Sequence, residues 1–247
     1  MNLKAPIKIL VQTEIGQFSE SGIQLSGPQV VGINQETGLI ILAQGITQGE
    51  QSSAHKCIEI MLDDMALNLP VAADESGQFG SVAVCMSESL ENINEYLYAQ
   101  LNELESAGKA NEVELAAIQV YRNSISCCDV GALNCLLFSD NKLSVLEDGD
   151  STDQKLGVDP SFKPAISRQD FNPGDIVLVL SSALLNSLSH EFIRVTLSRF
   201  HENLEMALRQ INTRAMQNGM NVKPTLVICR MSHPVEERRS WLGKLKK

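Results

Sequence analysis

Basic residues are in short supply in this 247-residue chain: 20 Lys and Arg stand against 30 Asp and Glu, a formal net charge of −10. Affinity for a nucleic-acid backbone draws mainly on clustered Lys and Arg, so this balance argues against a nucleic-acid partner. Long apolar runs are missing as well. None approaches the roughly 18 residues of a membrane helix, and the opening Met1-Asn2-Leu3-Lys4-Ala5-Pro6 is too poor in apolar residues for a secretory signal, so the expected location is cytoplasmic. Aromatics make up only 4%, with a single tryptophan, which makes the place of that tryptophan worth noting below. The six cysteines (Cys57, Cys85, Cys127, Cys128, Cys135, Cys229) show no CxxC spacing and sit among apolar residues, as reduced core thiols do.

What is present is a core and a clear succession of elements. Hydrophobic residues make up 43%, enough for one sizeable domain. Ile7 to Val11 reads as a strand, and Gln29 to Ile33 and Gly38 to Ala43 read as a hairpin turning at Asn34 to Gly38. Ala54, Cys57, Ile58, Met61, Leu62 and Met65 recur on one helical face, with the helix expected to end before Pro70 and a loose connection over Ala72 to Ser81. A second helix carries Met86, Leu90, Ile93, Leu97, Leu101 and Leu104. Three strand runs, ELAAIQVYR, SISCCDVGALNCLLFS and KLSVLED, follow as a meander, then an acidic surface loop from Glu147 to Pro164. The turn Asn172 to Asp175 leads into IVLVL, a run suited to a strand buried on both faces. One long helix from about Ser189 to Asn218 and a last strand, TLVIC, complete the pattern.

Four segments in this order resemble the type-2C, metal-dependent serine/threonine protein phosphatases. GLIILAQGITQGE, from Gly38 to Glu50, is similar to that family's strand entering an Asp-Gly-x-Gly-Gly turn, with Gln44 at the aspartate and Gly45 kept. CDVGALNCLLF, from Cys128 to Phe138, resembles the strands around Val-Gly-Asp-Ser-Arg, with Val130 and Gly131 kept and Ala132, Leu133 and Asn134 substituted. NPGDIVLVLSSALL resembles the Pro-Gly-Asp turn, buried strand and Ser-Asp-Gly-Leu corner; Pro173, Gly174, Asp175, Ser181 and Leu184 fit, while Ser182 and Ala183 replace Asp and Gly. NVKPTLVIC resembles the closing Asp-Asn-x-Thr strand, with Thr225 kept and Val222 and Lys223 substituted. Near the start, Gly16 matches a turn glycine, Gln24 falls near a further expected aspartate, and no arginine equivalent is found.

The resemblance implies an α+β fold, a four-layer α-β-β-α sandwich of two mainly antiparallel sheets flanked by helices, over residues 1–231, with 232–247 as a separate tail. It also implies a lost activity. Such enzymes hold two Mg²⁺ or Mn²⁺ ions, hard cations that need several carboxylate oxygens, around a nucleophilic water. Gln24, Gln44, Gly45, Ser182 and Val222 are thus vestigial metal-site positions, and no catalytic residue, metal or cofactor is assigned. The expected function is that of a catalytically inactive phosphatase-like protein serving as a binding, scaffold or regulatory subunit. The alternative is an active Mn²⁺- or Mg²⁺-dependent phosphatase with a rebuilt site drawing on Glu14, Glu20, Glu36 or Asp129.

Other candidates are weaker. Asp148, Asp150, Thr152 and Asp159 imitate a calcium loop, but its sixth position is Asp153 rather than Gly, so a solvated acidic loop is expected. Cys127 and Cys128 are adjacent on a strand and must face opposite ways. The histidines His55, His190, His201 and His233 form no recognisable set. The tail beyond Pro234 carries five basic residues against two acidic and the only tryptophan. Arg238, Arg239, Trp241, Leu242, Lys244 and Leu245 are candidate contacts to a protein partner, an apolar anchor flanked by cations. Docking of this tail back onto its own acidic domain is the competing expectation.

Overall fold

The structure, a computed structural model, describes residues 8–13, 16–18, 22–26, 29–45, 51–76, 79–104, 113–121, 124–146, 155–220 and 226–232. Twelve strands and five helices lie within them. The strands are β1 (Lys8–Thr13), β2 (Gly16–Phe18), β3 (Gly22–Ser26), β4 (Gln29–Asn34), β5 (Leu39–Gly45), β6 (Val113–Tyr121), β7 (Ser124–Val130), β8 (Leu133–Ser139), β9 (Lys142–Val145), β10 (Ser167–Asp170), β11 (Ile176–Ser181) and β12 (Leu226–Ser232). The helices are α1 (Gln51–Ser76), α2 (Phe79–Leu104), α3 (Ser182–Ser187), α4 (His190–Phe200) and α5 (Leu204–Gln217). One sheet runs β2-β1-β12-β11-β8-β9 and the other β10-β7-β6-β5-β4-β3, with antiparallel pairing throughout.

Three apolar clusters define four layers. Successive strand residues point to opposite sheet faces, so the continuous runs in the middle strands serve two clusters at once. In β5, Leu39, Ile41 and Ala43 pack under α1 and α2 with Ile58, Met61, Met86 and Leu90. Ile40 and Leu42 of the same strand face the other sheet, meeting Val177, Val179, Cys135 and Cys229. In β11, Ile176, Leu178 and Leu180 turn outward onto Leu184, Ile193, Leu197, Leu208 and Ile211 of α3, α4 and α5. Sheet and helix approach closely at Gly32 of β4, where an added Cβ would collide with Ile58 of α1. The expected α-β-β-α sandwich is therefore the observed one.

Several expected boundaries change. The first helix does not end before Pro70 but runs on to Ser76, and the connection to α2 shrinks to residues 77–78. A proline inside a helix removes one hydrogen bond and favours a bend; here a buried face of Ala54, Cys57, Ile58, Met61, Met65 and Leu69 precedes it. The meander of three strands is four strands divided between sheets: β6 and β7 lie in one, β8 and β9 in the other, and the chain crosses at Gly131 and Ala132. The long helix from Ser189 to Asn218 is two, broken at His201 to Asn203, where the Asn203 side chain accepts from Met206 N and caps α5. The acidic loop is not wholly a surface one. Leu156 and Phe162 are buried in the cluster under α1 and α2, Leu156 bridges to Val113, and the edge strand β10 follows.

The Pro-Gly-Asp turn owes its aspartate to local bonding. Asp175 is buried and its Oδ2 accepts from Asn172 N at 2.7 Å, fixing the chain before β11 enters the sheet. All six cysteines are buried and free, and Cys127 and Cys128 do face opposite ways, into the intersheet and helix-side clusters respectively. Among the described residues no helix is long and apolar enough to cross a membrane.

Candidate functional site

Three of the four motif segments converge where β5 ends, β7 passes to β8, and β11 ends in α3, beside the start of β6; the substituted positions of the fourth lie outside the described residues. Register places Gln44 directly opposite Glu114 on β6, and Gln44 Nε2 donates to Glu114 Oε2 at 2.5 Å. A carboxylate only accepts, so the amide must turn its NH₂ toward it. The other oxygen, Oε1, accepts from Ala132 N at 3.2 Å. Ala132 O in turn accepts from Ser182 N at 2.7 Å, and Ser182 Oγ accepts from Asn134 Nδ2 at 2.9 Å. A run of hydrogen bonds thus links Gln44 in one sheet to Ser182 and Asn134 at the ends of two interior strands of the other.

Gly131 makes this possible in two ways. Its φ is +85°, a conformation that side-chain-bearing residues rarely adopt, and a Cβ there would lie 2.7 Å from Glu114 Cγ. Ser181, immediately before Ser182, caps α3 by accepting from Leu184 N at 3.3 Å. Retained Gly131 and Ser181 therefore have structural reasons to persist whatever the chemistry of the corner.

Gln44, Gly45 and Ser182, predicted as vestigial metal positions, are brought to this corner, with Gln44 half-buried beside buried Glu114. Gln24 is described by its backbone: it pairs with Val31, two strands from Gln44, whereas the row through Gln44 is Ser26, Gln29, Gln44 and Glu114. Val222, Glu14 and Glu20 lie outside the described residues, as do Asp148, Asp150, Thr152 and the tail positions Arg238, Arg239, Trp241, Leu242, Lys244 and Leu245. Glu36 is misplaced as a relocated ligand. It sits exposed in the β4–β5 turn, at the opposite end of β5 from Gln44, roughly 20 Å away at the usual rise of a strand. Asp129 comes closer, pairing with Ala116, two residues along β6 from the Gln44–Glu114 row, and its Oδ2 accepts from Cys135 N at 3.4 Å. Asp159 is engaged by Ser161, whose hydroxyl and N–H hold its carboxyl below the usual range.

Glu114 was not anticipated. It stands inside an apolar strand run, where one acid looks like an ordinary surface residue; its register with Gln44 was the signal, visible once ELAAIQVYR is paired with GLIILAQG. Burial of this acid, with 8% of its surface exposed, is unusual for an unpaired carboxylate, and no Lys or Arg pairs with it among the described residues.

Compared with known proteins, the chain matches no family model and no curated protein. Solved structures do match. The Streptococcus agalactiae serine/threonine phosphatase superposes with a TM-score of 0.70 at 16% identity, covering 91% of this chain and 99% of that one. PppA of Pseudomonas aeruginosa gives 0.68 at 13%, covering 92% and 98%. The Mycobacterium tuberculosis serine/threonine phosphatase PstP gives 0.66 at 15%, covering 92% and 100%. The fold is that of the type-2C protein phosphatases. PstP's catalytic domain is also known in complex with two manganese ions, and the type-2C fold raises the question of whether this corner suits such a pair.

The described donors do not suit it. Gln44 and Ser182 offer a carbonyl and a hydroxyl where two hard cations need several carboxylate oxygens. The carboxylate beside them already accepts one donor on each oxygen. No group of three or more His, Cys, Asp or Glu able to hold a metal ion occurs among the described residues. The thiols offer no alternative: burial pushes Cys127 and Cys128 well up, with neighbouring thiols and Asp129 adding to the effect. They are core groups rather than nucleophiles or ligands.

Proposed function

We propose that this protein is a non-catalytic member of the type-2C fold that acts through protein-protein contacts, as a binding, scaffold or regulatory component. The observation that carries the reading is the corner itself, where neutral Gln44 and Ser182 join Glu114, Ala132 and Asn134 in hydrogen bonds that engage the groups a metal would need. PppA, a structural neighbour, is described as a key regulatory component of T6SS, which supports a regulatory rather than a metabolic role for this architecture. The sandwich is taken to span 1–231, and the basic segment 232–247, with Trp241 and Leu245 as apolar anchors, is the proposed docking element. Six buried free thiols fit a reducing, cytoplasmic setting.

The test has two arms. Aryl phosphate hydrolysis with Mn²⁺ present is expected to stay at the buffer rate. Affinity purification with the intact chain is expected to recover a partner that is lost on truncation after Pro234 and weakened by Trp241→Ala. Metal-dependent turnover that falls on substitution of Glu114 or Asp129 would instead establish the rebuilt-site reading.

A further inference from the structure

A metal centre and this corner have opposite polarity. In a two-metal site, cations gather oxygen atoms; here an anion gathers N–H groups, with Gln44 Nε2 at 2.5 Å from one Glu114 oxygen and Ala132 N at 3.2 Å from the other. We propose that Glu114 is an internal replacement for the metal centre: its carboxylate holds the corner together without cations and, by its charge, turns phosphoryl anions away. The inference rests on the non-catalytic reading above and adds to it the residue that makes a metal-free corner stable.

Three observations carry it. Glu114 is buried at the motif corner rather than on the surface, so its charge acts in a region of reduced dielectric. Both of its oxygens are used, each by a donor from one of the segments that match the phosphatase pattern: Gln44 from the first and Ala132 from the second. The third segment is joined through the same residue, since Ala132 O accepts from Ser182 N. Gly131 leaves the space its side chain needs, with Glu114 Cγ, Cβ and Cδ all within 3.4 Å of where a Cβ would stand. The corner is fitted to a carboxylate arriving from β6. A phosphate approaching Gln44 and Ser182 would meet an anion and would find the Ala132 and Ser182 N–H groups already engaged.

The experiment is thermal unfolding of the full chain with excess chelator, millimolar Mn²⁺, or millimolar inorganic phosphate. The wild-type midpoint is expected to agree across all three within about 1 °C, whereas a ligand at a hundredfold its dissociation constant would raise it by roughly 5–10 °C. Glu114→Ala should lower the midpoint by about 4–8 °C, because the Gln44 amide and Ala132 N–H lose their acceptor. Glu114→Gln should cost less than half as much, since a carboxamide keeps an oxygen for Ala132 N and Gln44 can turn its own oxygen toward it. A midpoint raised by Mn²⁺ or phosphate in the wild type would overturn the proposal, as would Glu114→Ala within about 1 °C of wild type. If the alanine variant does not fold, the glutamine variant and the wild-type titrations decide. Hydrolysis of an aryl phosphate would overturn the non-catalytic reading and the exclusion of phosphoryl anions together, while the stabilising role of Glu114 is decided separately by the variant midpoints.

Discussion

Replacing Gly131 with alanine tests the corner from the opposite side. Two costs add. An alanine at φ +85° is strained by about 1–2 kcal/mol. Its Cβ must also push away Glu114 Cγ, 2.7 Å distant, which moves the carboxylate off Gln44 and Ala132. A buried hydrogen-bonding group left without a partner costs roughly 1–3 kcal/mol; Ala132 is exposed and Gln44 half-buried, so water recovers part of this and the lower end applies. The sum is about 2–3 kcal/mol, or a fall of about 4–12 °C in the unfolding midpoint for a chain of this length. Gly174→Ala isolates the first cost, since Gly174 has φ +96° with nothing within 4 Å of an added Cβ. Urea denaturation of Gly131→Ala, Gly174→Ala, Glu114→Ala and the Gly131→Ala/Glu114→Ala pair gives the coupling directly. Truncating Glu114 leaves only its Cβ, 3.2 Å away, so the pair should be more stable than the sum of single effects by about 1 kcal/mol. If Gly131→Ala costs no more than Gly174→Ala, and the coupling is near zero, Glu114 does not crowd Gly131 and the geometry argued for the corner is wrong.

Four further outcomes follow from other parts of the fold. Burial pushes the Cys57 thiol up to about 12 and raises Cys127, Cys128 and Cys229 strongly. At mildly alkaline pH a disulfide reagent should therefore leave the native thiols unmodified over an hour and titrate all six cysteines in denaturant; prompt native labelling of Cys127 or Cys229 would contradict their burial. Asn94→Ala removes two bonds of 2.8 Å, to Asp159 O and from Gly157 N, and should speed amide exchange at Gly157 about tenfold while leaving β4 and β5 unchanged. Ser181→Ala should cost about 1 kcal/mol in chemical denaturation through the lost cap of α3; an unchanged midpoint would mean the cap contributes nothing. Asp159, held below the usual carboxylate range by the Ser161 hydroxyl and N–H, supports its turn above the unfolded-state pKa. That support is lost as pH falls through the lower folded value, so an NMR titration should show a midpoint below that of a free aspartate.

The sequence made the layers legible because the middle strands are short but uninterrupted apolar runs and the motif glycines fall at turns. Gly38 to Ala43 could be read directly as one strand of a hairpin, and IVLVL as a strand buried on both faces. Less could be read where one run serves two sheets. SISCCDVGALNCLLFS has no turn pair such as Asp-Gly, and only Gly131 marks where β7 leaves one sheet and β8 joins the other. The split between α4 and α5 was hidden for the same kind of reason, since the apolar spacing of Phe192, Leu197, Leu204 and Leu208 continues across the break and only the Asn203 cap reports it. At the corner, Gln44 and Ser182 were found from their motif neighbours, whereas Glu114 depended on a cross-strand register no single segment contains. Glu36 failed as a candidate because nearness in sequence to Gln44 becomes distance once the two stand at opposite ends of β5.

The central position of β12 has a consequence for how the protein assembles. That strand lies between β1, from the start of the described chain, and β11, pairing with both. During synthesis β3 to β7 can zip up from neighbours in sequence, but β1 and β2 have no sheet to join until residues 226–232 leave the ribosome. β8, β9 and β11 can pair among themselves, so it is the β1–β2 end of this sheet that waits on β12, and its slowest contact is the most distant one in sequence. A nonsense mutation just before Leu226 would leave a product with an apolar β1, an exposed edge on β11 and no β12 to cover either, a substrate for chaperones and proteases rather than a shortened but folded chain.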